Sequence, residues 1–125
     1  MLIKTLIKKP LLVLDNGLKL KIESKIIIDR YFRKIRYLVV KNENQIFYID
    51  TQKIFNTKND AIVIKKFEFL ILKNDFEYKA THFLVDINSM VYNTCGEFIC
   101  HIENFEIDLN FKILQIIFKT QKKNL

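Results

Sequence analysis

The sequence predicts an all-β fold with little helix, a small antiparallel barrel type built from two imperfect copies of one β-unit. Three observations predict it. Apolar residues recur at period two in many short runs, polar turn-formers separate those runs, and two segments match when one is slid along the other by the spacing of the only two glycines, Gly17 and Gly96.

Each element follows in order. Leu11-Leu12-Val13-Leu14 is a strand-sized apolar run, and Asp15-Asn16-Gly17 supplies residues that tolerate positive φ for a tight turn. Leu18-Lys19-Leu20-Lys21-Ile22 then alternates without a fault, Ile26-Ile27-Ile28 sits between polar flanks, and Ile35-Arg36-Tyr37-Leu38-Val39-Val40 is β-branched and aromatic. A polar break falls at Lys41-Asn42-Glu43-Asn44. The stretch from about Asp50 to Thr57 admits a short helix, and Asn59-Asp60 introduces the run Ala61-Ile62-Val63-Ile64. Phe67 to Leu72 and Phe76 to Ala80 flank Asn74-Asp75 as the two arms of a hairpin.

The glycine spacing of 79 residues pairs Leu12 with Val91, Leu20 with Ile99, Ile26 with Phe105, Ile28 with Ile107, Asp29 with Asp108, Phe32 with Phe111 and Arg33 with Lys112. Both segments read as strand, glycine turn, strand, Ile-Asp turn, strand. Gly17 and Gly96 permit the positive φ of a hairpin, while Asp29 and Asp108 can accept hydrogen bonds from backbone amides in Asx-type turns. These four are turn residues, and none of them calls for catalysis. The organisation expected is a first repeat at 1–66, a connecting hairpin at 67–80 and a second, truncated repeat at 81–125.

The segment from Val91-Tyr92 through Cys95-Gly96-Glu97-Phe98-Ile99-Cys100-His101-Ile102 to Phe105-Glu106-Ile107-Asp108 resembles the opening of a PRC-barrel domain. That family begins with a Val-Tyr pair, a turn ending in Gly-Glu, an aliphatic and a small residue, then an acidic-flanked strand closing on Ile-Asp. The first copy resembles it through Leu12, Gly17, Leu20, Ile26, Ile28 and Asp29. Phe47-Tyr48-Ile49-Asp50 and Asn59 to Ile64 resemble its closing strands. Lys21 and Cys100 stand where the family has a second glycine, and Glu23 where it has valine. After Ile116-Ile117-Phe118 the second copy lacks room for closing strands, so the hairpin, shared strands or another chain must complete it. The resemblance implies a small barrel used for binding or assembly; relatives include the cytoplasmic part of a photosynthetic reaction-centre subunit and a domain of a ribosome maturation factor.

Composition narrows the function. With 50% hydrophobic and 28% charged residues the chain has globular composition. No apolar run nears the roughly 18 residues of a membrane-spanning helix, and the lysine-interrupted N-terminus lacks signal-peptide anatomy, so a cytoplasmic location is expected. The net charge of +7 owes something to a Lys- and Asn-rich codon bias, but its distribution is uneven: residues 1–40 carry ten Lys/Arg against three Asp/Glu. Lys119, Lys122 and Lys123 read as a solvated tail.

Chemistry has little to work with. Only Ser24 and Ser89 offer hydroxyl nucleophiles of that type, two glycines cannot build a phosphate loop, and Cys95, Cys100, His101 and His82 match no zinc spacing. Cys100 and His101, adjacent on a strand, would point to opposite faces. No enzymatic activity, no metal and no cofactor are therefore expected. The notable surface segment is Arg30-Tyr31-Phe32-Arg33-Lys34-Ile35-Arg36, which holds every arginine interleaved with two aromatics. Arg30, Tyr31, Arg33, Lys34 and Arg36 are the candidate binding residues, because guanidinium forks grip phosphates and rings stack on unpaired bases. The plainer reading is a solvated hairpin tip with Phe32 turned into the core. Partners expected are a protein or a second copy, with RNA as the alternative; a membrane surface ranks below both, and no small-molecule substrate is evident.

Overall fold

The computed structural model describes residues 1–79, 82–87, 89–92 and 95–120, with 91, 92 and 120 described by backbone alone. The fold is all-β. Eight strands form one sheet: β1 (Leu11–Val13), β2 (Lys19–Asp29), β3 (Ile35–Asn42), β4 (Gln45–Asp50), β5 (Ile54–Asn56), β6 (Ile62–Ile64), β7 (Leu70–Leu72) and β8 (His82–Asp86). Their order is β5-β6-β1-β2-β3-β4-β7, with β8 also on β2. Strands β9 (Met90–Tyr92), β10 (Phe98–Ile107) and β11 (Ile113–Thr120) form a second sheet in the order β11-β10-β9. Among the described residues every strand pairing is antiparallel except β1 with β6. The one α-helix among the described residues is α1 (Ile3–Ile7), and no helix there is long and apolar enough to cross a membrane.

β2 organises the molecule. Its first part pairs with β1 at Lys19 and Leu20, and its last part, from Lys25 to Asp29, pairs with β8. Register shifts against β3 between Ile22 and Ile26 and between Ile27 and Ile28 allow this change of neighbour, since a bulge bends a strand and increases its twist. Alternation does the rest. Ile26 and Ile28 enter the main core, whereas Ile27 points to the other face and packs with Val39 and Tyr48.

The main core draws on the whole chain: Ile3 and Leu6 of α1, the inner residues of β1 to β4 and β6, and Ile102, Phe105, Ile107 and Phe111. Each such side chain contributes about 1.5 to 3 kcal/mol by leaving water, so this shared core outweighs any local preference.

Strand exchange joins the N-terminal and C-terminal parts. β8 lies against β2, while Leu2 bridges Glu106 and the Met1 and Ile107 backbones exchange two hydrogen bonds of 2.8 Å. Each segment thus lends a pairing stretch to a strand of the other.

Backbone features recur at the glycine spacing. Gly17 and Gly96 have φ of +71° and +80°, and Phe32 and Phe111 have φ of +56° and +63°. β1 and β9 also start 79 residues apart, as do β2 and β10.

Three local expectations are corrected. The arms of the expected 67–80 hairpin do not pair: Phe67–Phe69 and Lys73–Asp75 are 3₁₀ turns, β7 between them joins β4, and 76–79 form no strand. Phe76 and Tyr78 instead stack against Tyr48 and each other, with centroids 4.4 to 6.1 Å apart, so aromatic packing wins over strand pairing. Ala80 lies outside the described residues. The helix expected at 50–57 shrinks to the single 3₁₀ turn Thr51–Lys53, capped by Asp50, before Ile54 and Phe55 enter β5 as β-favouring residues do. Conversely, α1 forms where no helix is expected, held by the burial of Ile3 and Leu6 three residues apart.

Candidate functional site at the joined turns

The site is built from two turns of one design. After β2, the Asp29 carboxylate accepts the Arg33 amide at 2.7 Å, and the Asp29 carbonyl accepts the Phe32 amide at 3.0 Å. After β10, the Asp108 carboxylate accepts the amides of Asn110 at 2.8 Å and Lys112 at 3.0 Å, and its carbonyl accepts Phe111 at 3.1 Å. The Asx role expected of both aspartates is thus the observed one. It holds a phenylalanine in the left-handed region, a conformation that disfavours a side chain by roughly 1 to 2 kcal/mol.

The turns lie side by side. The Ile35 amide donates to the Phe111 carbonyl at 2.9 Å, the Ile113 amide donates to the Arg33 carbonyl at 2.8 Å, and Lys34 and Lys112 form an antiparallel bridge. Two like charges therefore oppose each other across a strand pair, an arrangement that is destabilising unless a counter-charge is near. A groove of about 430 Å³ runs over this junction, lined by Asp29, Arg33, Lys34, Arg36, Asp108, Asn110 and Lys112. A neighbouring cleft of about 460 Å³ shares Asp29, Arg33 and Arg36 and adds Tyr31, Tyr37, Lys79 and His82 among its walls.

Electrostatics leave the groove cationic. Arg33 approaches Asp29 at 4.0 Å, but its side chain is largely exposed, so this pair adds little. Among the described residues no ion pair includes Lys34, Arg36, Lys79 or Lys112. Both aspartates already accept backbone amides. Tyr31, 58% exposed, lies under the guanidinium groups of Arg30 at 4.9 Å and Arg33 at 4.8 Å. Burial, then the Lys79 and Arg36 charges, push the His82 pKa below its ordinary value. Its Nδ1 is buried without a hydrogen-bond partner among the described residues. Burial also raises Tyr37, with Asp50 adding to it, and raises Tyr48 to about 12, where the hydrogen bond to Tyr78 at 2.8 Å contributes.

Of the five residues singled out by sequence, Arg33, Lys34 and Arg36 converge on the groove, Tyr31 lines the neighbouring cleft, and Arg30 lines neither but stacks on Tyr31. Phe32 is not in the core. It is 39% exposed, whereas Phe111, with the same left-handed backbone, is 2% exposed and packs in the core. Lys112 is the residue that sequence reasoning passed over, although the repeat aligns it with Arg33. Lys79 carried no local signal, and His82 drew notice only in the rejected zinc set. Cys95 is exposed and Cys100 buried, His101 packs on Phe98 with centroids 4.9 Å apart, and His82 belongs to the other sheet. Among the described residues no three His, Cys, Asp or Glu side chains gather as metal ligands. Lys119 is exposed, and Lys122 and Lys123 lie outside the described residues.

Compared with protein-family models and with curated proteins, the sequence matches none.

Proposed function

We propose that this chain is a non-enzymatic binding and assembly module of the PRC-barrel type, presenting a strand edge and the basic turn to a protein partner or a second copy. The observation that carries the reading is the edge of β11. β3 is paired on one side by β2 and on the other by β4, whereas β11 pairs with β10 and, among the described residues, with no strand on its other side. Leu114 and Phe118 on β11 are 56% and 48% exposed. An open edge with apolar side chains favours strand addition, in which backbone hydrogen bonds supply affinity and side chains supply selectivity. A cytoplasmic location goes with this reading, since there Cys95 and Cys100 would stay thiols.

Light scattering and pull-down with Leu114→Lys/Phe118→Lys test it. The parent chain should dimerise or retain a partner, and the double variant should lose it while keeping its far-ultraviolet spectrum. A strictly monomeric parent without a partner, or a double variant that binds unchanged, would sink the reading.

The groove favours a second reading, an RNA-associated factor of the ribosome-maturation kind. Arg33, Lys34, Arg36 and Lys112 share one groove beside the exposed Tyr31 ring, which suits a single strand held by phosphate contacts and stacking. Binding of a single-stranded RNA should weaken with salt, with a log–log slope of about −0.7 per phosphate neutralised, and should vanish in Arg30→Ala/Arg33→Ala/Arg36→Ala. Salt-insensitive binding, or none, rules it out.

A further inference from the structure

Five of the seven lysines in the first forty residues gather away from the turns. β2 has a strand neighbour at Lys19 and Leu20, where β1 pairs, and again from Lys25 onward, where β8 pairs; between them, among the described residues, that side has no paired strand, though the Ile87 amide donates to the Ser24 carbonyl at 2.9 Å. α1 stands beside this break, anchored by Ile3 and Leu6 in the core. What remains is a cleft of about 670 Å³, within the roughly 300 to 1,000 Å³ of small-molecule sites.

Its lining is of two kinds. Lys4, Lys8, Lys9, Lys19 and Lys21 supply five ammonium groups against one carboxylate, that of Glu23. Among the described residues none of the five is in an ion pair; Lys9 Nζ donates to the Thr57 carbonyl at 2.8 Å, and that acceptor carries no net charge. Between the lysines, Ile7, Pro10, Leu20 and Ile22 make apolar wall, which the lysine stems extend.

Each half of this lining excludes a class of ligand. A bare inorganic anion would answer the charges and leave the wall against water. A neutral apolar molecule would cover the wall and leave five like charges repelling one another. Both demands are met by a molecule with a negative head and an aliphatic body. We infer that this cleft binds a small anionic amphiphile, a carboxylate or phosphate head on an aliphatic chain, taken from solution.

Titration calorimetry on the full chain tests this with decanoate, kept below the concentration at which it aggregates. Decanoate should bind, inorganic phosphate and decanol should bind at least tenfold more weakly, and Lys19→Glu/Lys21→Glu should weaken decanoate at least tenfold. Both substituted side chains are exposed, so the fold should persist by circular dichroism. Lys65→Glu/Lys73→Glu makes the same change in net charge at exposed sites away from the cleft and should bind decanoate as the parent does. The inference is overturned if decanoate does not bind, if phosphate or decanol binds equally well, or if the distant pair weakens binding as much. It is also overturned if the chain floats with phosphatidylglycerol vesicles yet ignores decanoate.

Discussion

The turn at 29–33 and the turn at 108–112 share an aspartate, a left-handed phenylalanine and a carboxylate that accepts the amide four residues on, yet one phenylalanine faces water and the other is core. The sequence pattern of a turn governs its backbone, because an Asx bond acts within four residues. Where the ring goes is decided by what packs against it. Phe111 meets the main core, and its carbonyl takes the Ile35 amide; Phe32 lies outside that core, next in sequence to Tyr31, whose ring carries the Arg30 and Arg33 guanidinium groups. One turn became structural support and the other a charged surface.

The largest test of this contrast is truncation. Phe111→Ala should cost about 3 to 5 kcal/mol by emptying a core position, and Phe32→Ala within about 0.5 kcal/mol of zero, both read from urea midpoints. Equal losses would erase the distinction. Next come the aspartates: Asp29→Ala should cost about 2 kcal/mol, since an 8% exposed carboxylate holds the turn through a charge-assisted bond, and Asp108→Ala somewhat less because that carboxylate is more open to water.

A pH series sharpens the comparison further. The folded pKa of His82 lies below its unfolded value, so the unfolded chain takes up the proton first. Its contribution is fully present above the unfolded pKa of about 6.5 and is lost as pH falls through the folded value. Stability should therefore drop as pH falls below about 6.5, and His82→Gln should drop less; an identical drop in both would remove His82 from the account. The smallest effect belongs to the bridge between the turns. Lys112→Gln should stabilise by a few tenths of a kcal/mol at low salt by relieving Lys34, and the gain should fade as salt is added.

Short-range features were legible because short-range chemistry sets them. Gly17, Gly96, Asp29 and Asp108 do what their residue types demand, and the alternation of β2 places Ile26 and Ile28 opposite Ile27 as period two requires. Partner choice was not legible. Nothing local tells residues 82–86 to lie on β2 or Met1 and Leu2 to lie on β10, since both choices depend on a core assembled from distant segments. The same limit applies to the site. Arg33, Lys34 and Arg36 stood out by composition, and Lys112 was reachable through the 79-residue match. Lys79 and His82 arrive only through tertiary packing. The 67–80 segment misled because Phe76 and Tyr78 alternate as a strand would but spend that pattern on an aromatic cluster.

The exchange of leading segments also sets a clock. During synthesis, the Ile26-to-Ile28 stretch of β2 emerges well before residues 82–86, and at about 5 to 20 residues per second the gap lasts roughly 3 to 11 s. For that interval a run of three consecutive isoleucines has one open side. The converse holds at the other end, where Met1 and Leu2 wait about a hundred residues for β10, 106 positions from first residue to hydrogen-bonded carbonyl. A nascent chain of this design thus carries an unpaired apolar strand edge for seconds before the segment that covers it is made.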